Sequence, residues 1–192
     1  MKKLLALIFL CSLPVFAQNP SATSLQHFGD KNAPLKTFLF SSFSCPHCKT
    51  FHQSIEPKIF DAYVKTGKIN ITVVEVARDP KGMEANQLIR CVSPEKYRIF
   101  SEKLFSDNNW KTSSSALKKL AQEQGLSEQQ ITECLADKKL RSSIYEQQRN
   151  LVSLYKVRYL PSLVLVPDKG TPIVITATDE GKLMKALETF TK

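Results

Sequence analysis

Phe43-Ser44-Cys45-Pro46-His47-Cys48 marks the point where an apolar stretch, Thr37-Phe38-Leu39-Phe40, gives way to a segment with Phe51, Ile55 and Ile59 at i, i+4 and i+8. The first reads as a strand and the second as one face of an amphipathic helix. Pro46 takes the first helical position, where its missing N–H costs nothing. Cys45 therefore falls at the helix N-terminus. Free backbone N–H groups and the positive end of the helix dipole aim at its sulfur and favour a thiolate there. Two cysteines so spaced at a helix start make a candidate redox site.

Working outward, the helix is expected from Pro46 to Thr66, kinked at Pro57 and ended by Gly67. Ile69 to Val76 is rich in β-branched residues and reads as a second strand. Before the first strand, at about 36–42, residues 18–34 are polar and punctuated by Pro20, Gly29, Asp30 and Pro34, which reads as a flexible lead-in. It is too short for an N-terminal dimerisation domain, and His27 within it reads as a surface residue.

From Arg78 to about Val157 only helical patterns occur. Pro80–Cys91 is one, and Ser93-Pro94 caps and opens another through Phe100, Leu104 and Phe105. A third covers Ser115–Gln124 before Gly125. Ser127-Glu128-Gln129-Gln130 is a capping box that starts the helix holding Ile131, Cys134 and Leu135. A longer helix, about Leu140 to Tyr155, carries Leu140, Ile144, Leu151 and Tyr155 as its stripe. Strands return at Ser162–Val166 and Ile173–Thr176, around a turn at Pro167-Asp168-Lys169-Gly170, and a helix over Asp179–Phe190 follows. The order is β-α-β, a helical block, then β-β-α. That pattern predicts an α/β thioredoxin fold with an inserted all-helical subdomain: residues 18–77 as the first part of the fold, 78–157 as the insertion, and 158–192 as the second part.

The first 17 residues carry Lys2 and Lys3, an apolar run from Leu4 to Phe16, and Val15-Phe16-Ala17. They read as a signal peptide cleaved after Ala17, which implies export to an oxidising compartment. The run, about 13 residues, is shorter than the roughly 20 a spanning helix needs. Leu10 ahead of Cys11 is too bulky for a lipoprotein site. Cleavage leaves about 175 residues, one domain with room for an insertion. The net charge of +9 drops by two with Lys2 and Lys3. The remaining lysines and arginines are spread over the helices with no concentrated patch, so nucleic-acid binding is not expected. Cys45, Cys48, Cys91 and Cys134 remain, an even number that suggests two disulfides. With a single C-x-x-C a four-cysteine zinc site is disfavoured, and neither metal nor cofactor is expected.

These residues resemble the DsbA-like thiol:disulfide oxidoreductases of the thioredoxin superfamily, and the resemblance covers nearly the whole mature chain. Pro46-His47 between Cys45 and Cys48 is the dipeptide typical of DsbA oxidases, and Phe51-His52 follows it as in many relatives. Leu160-Pro161 stands where the superfamily has its cis-proline, facing the cysteines and binding substrate. Cys91 and Cys134 fall where a subset of the family has a second pair. The resemblance implies a structural disulfide there, the rivals being two free thiols or a second redox couple.

In the exchange so implied, Cys45 is the exposed sulfur attacked by substrate and Cys48 its buried partner. N–H groups at His47 and Cys48, with the His47 side chain, would stabilise the Cys45 thiolate. His52 reads as a packing or hydrogen-bonding residue and Phe43 as a packing one. The sequence departs from the family twice. An acidic residue that DsbA carries on the first strand corresponds here to Leu39, so water or another group must serve as proton acceptor. Leu160 stands where many relatives have Thr or Val.

The resemblance implies a periplasmic, monomeric oxidase. It would donate its disulfide to unfolded or partly folded exported proteins with free cysteines and be reoxidised by a membrane redox partner. The alternatives are a disulfide isomerase or reductase of the same compartment, against which the short lead-in argues, and a non-catalytic surface or binding protein that retains the fold, against which intact Cys-Pro-His-Cys argues.

Overall fold

A computed structural model of the chain describes residues 24–191. The expected signal segment and its cleavage site lie outside the described residues. Five strands form one sheet in the order β1-β3-β2-β4-β5, where β1 is Gln26–Phe28, β2 Leu35–Ser41, β3 Ile69–Glu75, β4 Ser162–Val166 and β5 Ile173–Thr176. β2 and β3 run parallel, with Leu39 opposite Val73 and Ser41 opposite Glu75. The other pairings are antiparallel. All seven residues of β3 are buried, which is why it reads as a run rich in β-branched residues, with Asn70 and Glu75 as its polar members, rather than as an alternating one.

β1 corrects the expected flexible lead-in. Gln26, His27 and Phe28 pair with Val73, Thr72 and Ile71, and His27 Nδ1 lies 2.8 Å from Thr72 Oγ1. Gly29 lets the chain pass this close: its φ is +91°, and a Cβ would stand 2.6 Å from the Ile69 carbonyl. Three residues with two polar side chains are too few to show a period of two, so the strand is stabilised by its β3 partner rather than by its own pattern.

The cysteine-bearing helix is also more divided than expected. It comprises α1 (Pro46–Ser54), α2 (Glu56–Ile59) and a π-helical turn over Phe60–Val64. Pro57 offers no N–H to the Gln53 carbonyl, so the regular helix breaks just before it, at Ile55. The turn closes with i→i+5 bonds, Lys65 N–H to the Phe60 carbonyl at 2.9 Å among them.

Five helices lie between β3 and β4: α3 (Pro80–Cys91), α4 (Pro94–Ser106), α5 (Ser114–Glu123), α6 (Glu128–Ala136) and α7 (Lys138–Tyr155). The capping box at Ser127 and Gln130 is formed in full. α5 begins a residue earlier than its sequence suggests, because Ser113 is the residue whose side chain caps it. Cys91 of α3 and Cys134 of α6 are joined in a disulfide, their Cα atoms 6.4 Å apart. α8 (Glu180–Phe190) follows β5.

One continuous core joins Leu39, Ile71 and Leu163 of the sheet to Phe51 of α1, Leu88 of α3, Phe100 of α4 and Leu187 of α8. A smaller cluster on Phe40, Val74 and Val164 is covered by Leu151, Val152 and Tyr155 of α7. The α7 stripe is thus shared, with Leu140 and Ile144 entering the larger core.

Candidate active site

The site lies where β2 ends and α1 begins. Cys45 is the N-cap of α1, in extended conformation (φ −90°, ψ 121°), with Pro46 at the first helical position as its sequence predicts. Pro46 and His47 are exposed and Cys48 turns inward with no accessible surface. The Leu160-Pro161 bond is cis. It brings the Leu160 carbonyl to 3.9 Å from Cys45 Sγ, where the thiol donates a long hydrogen bond. Pro161 itself is buried, and its carbonyl accepts the Ala177 N–H at 2.9 Å.

Two expectations about Cys45 are corrected. It is 3% exposed rather than open, because the segment before Pro161 folds across the sulfur. Its sulfur accepts no capping hydrogen bond from α1. Cys45 and Cys48 are free thiols in this structure, and a thiol uses its proton as donor, here toward Leu160, where a thiolate would turn to the helix N–H groups.

Cys48 has a different environment. Burial pushes its thiol up to about 12, with neighbouring Cys45 adding to the rise, against downward pulls from the Ser41 hydroxyl and the Ser42 N–H. The Ser42 N–H donates to Cys48 Sγ at 3.4 Å.

Behind Cys48 lies a polar cluster that sequence reading missed in large part. Ser41 Oγ is 2.9 Å from His52 Nε2, and His52 Nδ1 is 2.5 Å from Glu56 Oε2. The imidazole stacks on Phe105, ring centroids 3.9 Å apart and planes 21° from parallel, so His52 both packs and hydrogen-bonds as expected. Phe43 packs likewise, 5.0 Å from the same ring. The i, i+4 spacing of His52 and Glu56 was the one available signal. Nothing in the sequence ties Ser41 to them.

Leu39, at the place of the family's acid, is fully buried. The buried acid nearby is Glu75, opposite Ser41 on β3. Arg90 donates to both its oxygens, Nε to Oε1 at 3.0 Å and a terminal nitrogen to Oε2 at 2.5 Å, and the Tyr97 hydroxyl donates to Oε1 at 2.6 Å. Burial, and the carboxylate beside it, hold the Tyr97 phenol well above its ordinary value. A glutamate closing a fully buried strand was the signal for this cluster. Among the described residues, no group of three or more His, Cys, Asp or Glu is placed to hold a metal.

A C-x-x-C at a strand-to-helix junction of a mixed sheet, faced by a cis X-Pro bond, with helices inserted between β3 and β4, defines a thioredoxin-type fold of the DsbA-like kind. The chain belongs to the thioredoxin family, whose model matches residues 22–170. A putative protein-disulfide oxidoreductase of Rickettsia bellii is 27% identical over 125 residues, which cover 60% of this chain and 47% of that protein. Disulfide bond formation protein D of Bacillus subtilis is 30% identical over 90 residues, 45% of this chain and 40% of that protein. The chain thus spans about half the length of the curated relatives it matches. Among solved structures, alpha-DsbA1 of Wolbachia pipientis superposes with a TM-score of 0.77 at 20% identity, over 88% of this chain and 91% of that one. Oxidised BdbD of Bacillus subtilis gives 0.75 at 22%, over 90% and 95%. The relatives' names carry the resemblance to disulfide oxidoreductases that Cys45-Pro46-His47-Cys48 implied, and the superpositions carry the fold with its helical insertion.

Proposed function

We propose that this chain is a thiol:disulfide oxidase that introduces disulfides into exported proteins by exchange at Cys45 and Cys48. The observation that carries the reading is the asymmetry of the pair. Cys45 stands at a helix start beside the Leu160 backbone, whereas Cys48 is wholly enclosed. A substrate thiolate attacks Cys45 of the disulfide, a mixed disulfide forms, and a second substrate thiolate resolves it and expels Cys45. A helix N-terminus stabilises that leaving thiolate, which favours the oxidising direction.

Because Cys45 is nearly covered, substrate must displace or run beside the segment carrying Leu160 and Pro161. An extended peptide laid along that backbone would bring its own cysteine to Cys45. The substrates are unfolded or partly folded proteins with free cysteines, and a membrane redox partner returns the pair to the disulfide. The apolar run after Lys2 and Lys3 and the Cys91–Cys134 bond both favour an exported, oxidising setting. The protein acts as a monomer in this reading.

Equilibration of Cys45 and Cys48 with glutathione buffers tests the assignment. A potential near −120 mV supports an oxidase, while one at or below about −270 mV makes the protein a reductase or isomerase instead. His47→Ala is expected to make the pair more reducing. An unchanged potential removes His47 from the mechanism.

A further inference from the structure

Along the sequence the lysines and arginines are spread over several helices, but α7 and the residues just after it gather six of them. Lys138, Lys139, Arg141, Arg149, Lys156 and Arg158 are all exposed, and Glu146 is the one acid between Lys138 and Tyr159. Elsewhere on the surface Lys58, Lys65, Lys81, Arg98 and Lys118 each pair with a carboxylate, whereas among the described residues none of these six does. Half of the large apolar side chains that the described residues expose, Tyr145, Leu154 and Tyr159, lie on the same segment.

Lys138, Arg141, Tyr145, Arg149, Val152 and Lys156 follow one another at steps of three, four, four, three and four, which sets them in a single row along one flank of α7. At 3.6 residues per turn the row stands roughly 110° round the helix axis from the buried stripe of Leu140, Ile144, Leu151 and Tyr155. The outermost line, opposite that stripe, carries Ser142, Glu146 and Ser153 instead. A flat surface laid on α7 would meet that line first. The row looks sideways: Arg141 and Tyr145 meet Met83 of α3 in a hollow of about 270 Å³, which Ser142 and Glu146 also line. Gln148, between the stripe and the row, accepts the Ala77 N–H at 2.8 Å and so brings exposed Arg78 alongside. The acids at this end of α3 are engaged, Asp79 by the Gly82 N–H at 2.7 Å and Glu84 by Lys81 at 2.8 Å.

The row leads to the cysteines. Arg158 and Tyr159 continue it past the helix end to Leu160, whose carbonyl lies 3.9 Å from Cys45 Sγ. On the α3 side, a Cβ on Gly82 would stand 3.5 Å from the Oγ of Ser44, the residue before Cys45. From Leu160, Lys156 is at most about 15 Å away, Arg149 about 25 Å and Arg141 about 37 Å, spans that an extended chain covers in about 5, 8 and 11 residues. We infer that the row is a docking track for an acidic segment of the substrate polypeptide. The inference rests on the exchange reading of Cys45 and Cys48 and gives it a substrate class: chains with Asp and Glu about 5 to 11 residues from the reacting cysteine. Arg141 and Arg149 would take carboxylates in bidentate pairs, and the Tyr145 ring between them would pack on the intervening chain. A single file of cations suits a line of charge, and the occupant must also carry a thiol to Cys45, which a lipid surface lacks.

The test uses the full chain oxidised at Cys45 and Cys48 and dithiol peptides of equal length that differ only in a block of Asp and Glu, or of Asn and Gln, about 5 to 11 residues from a cysteine. Each peptide dithiol becomes a disulfide as Cys45–Cys48 becomes a dithiol, followed by acid quench, alkylation and mass. The acidic peptide is expected to react at least about tenfold faster at low salt, and to lose most of that advantage at about 0.5 M NaCl. Arg141→Glu with Arg149→Glu removes the advantage while the rates with the neutral peptide and with mercaptoethanol stay within about twofold. Lys182→Glu with Lys185→Glu makes the same change in net charge on α8, which the Lys58–Glu180 ion pair sets beside α2, and keeps the advantage. Should the α7 reversals unfold the chain, Arg141→Gln with Arg149→Gln takes their place with the same expectation. Equal rates for the two peptides, or a loss as large in the α8 variant as in the α7 variant, overturn the track. Binding to phosphatidylglycerol vesicles that the α7 variant abolishes, with no preference between the peptides, overturns it as well and assigns the row to a lipid surface. A disulfide that neither the peptides nor mercaptoethanol opens overturns the exchange reading itself.

Discussion

Removing the Cys91–Cys134 bond tests how the helical block is held. The bond ties α3 to α6 across a sequence separation of 43. On the chain-entropy model, releasing a loop of that length returns to the unfolded chain about 13 cal/mol/K, or about 4 kcal/mol at 25 °C. The folded state should change little, because other links between the two helices persist. The Gln87 amide donates to the Cys134 carbonyl at 3.0 Å and to the Leu135 carbonyl at 3.3 Å, and Leu88, Ile131 and Leu140 remain in one core.

Guanidinium unfolding of Cys91→Ala, Cys134→Ala and the double variant, with Cys45 and Cys48 held in one redox state, provides the assay. At a slope of about 4 kcal/mol/M, the midpoint falls by about 1 M. Loss of the buried Cys134 sulfur adds roughly 1 kcal/mol, and loss of the partly exposed Cys91 sulfur adds less. Either single variant already opens the loop, so each should lose nearly as much as the double. The slope should rise as well, since an uncrosslinked chain exposes more surface when unfolded. Single losses that simply add to the double, or a midpoint shift under about 0.3 M, would refute the entropic account and leave local packing as the source of the effect.

Two further outcomes follow from buried groups. Cys48 has its thiol raised from 9.0 to about 12, so above pH 9 the unfolded chain loses this proton while the folded chain keeps it, and stability falls as pH rises toward 12. On a Cys45→Ala background, which needs no reductant, unfolding free energy should drop about 1 kcal/mol more between pH 8 and pH 10 than when Cys48 is also alanine; equal slopes would show that Cys48 is not held as a buried thiol. Arg90→Met leaves the Glu75 carboxylate buried with the Tyr97 hydroxyl as its remaining partner among those described, and is expected to cost about 3–5 kcal/mol in urea unfolding. Arg90→Met with Glu75→Gln should recover most of that loss, and a double variant as unstable as the single would count against an uncompensated charge as the cause.

Much of the fold was legible because its elements carry local signatures. β3 shows itself as a seven-residue buried run, and α6 by a capping box whose two hydrogen bonds both form. β1 was hidden because Gln26-His27-Phe28 gains its stability from hydrogen bonds to β3, and a strand of three residues has no pattern of its own. The division of the first helix was half legible. Pro57 announces a break, but its position at Ile55 and the π-helical turn beyond depend on how Phe60, Tyr63 and Val64 reach the core. Leu39 is fully buried on β2, and the polar cluster of Ser41, His52 and Glu56 nearby could not be seen in the sequence. Ser41 lies at the end of a strand, 11 residues before His52.

By itself the sequence determined the identity and spacing of the cysteines, the proline at the helix start, the order of strands and helices, and the position of Pro161. These are local facts, set by dihedral preference, capping and periodicity. Only the tertiary structure decided that Leu160 covers Cys45, that Cys91 and Cys134 meet, and that Arg90 and Tyr97 converge on Glu75. It likewise decided that Ser41, His52 and Glu56 hydrogen-bond in a row. The physical reason is that each joins residues from different elements: β4 lies antiparallel on β2 beside the cysteines, α3 packs on α6, and the parallel register of β2 on β3 sets Ser41 opposite Glu75.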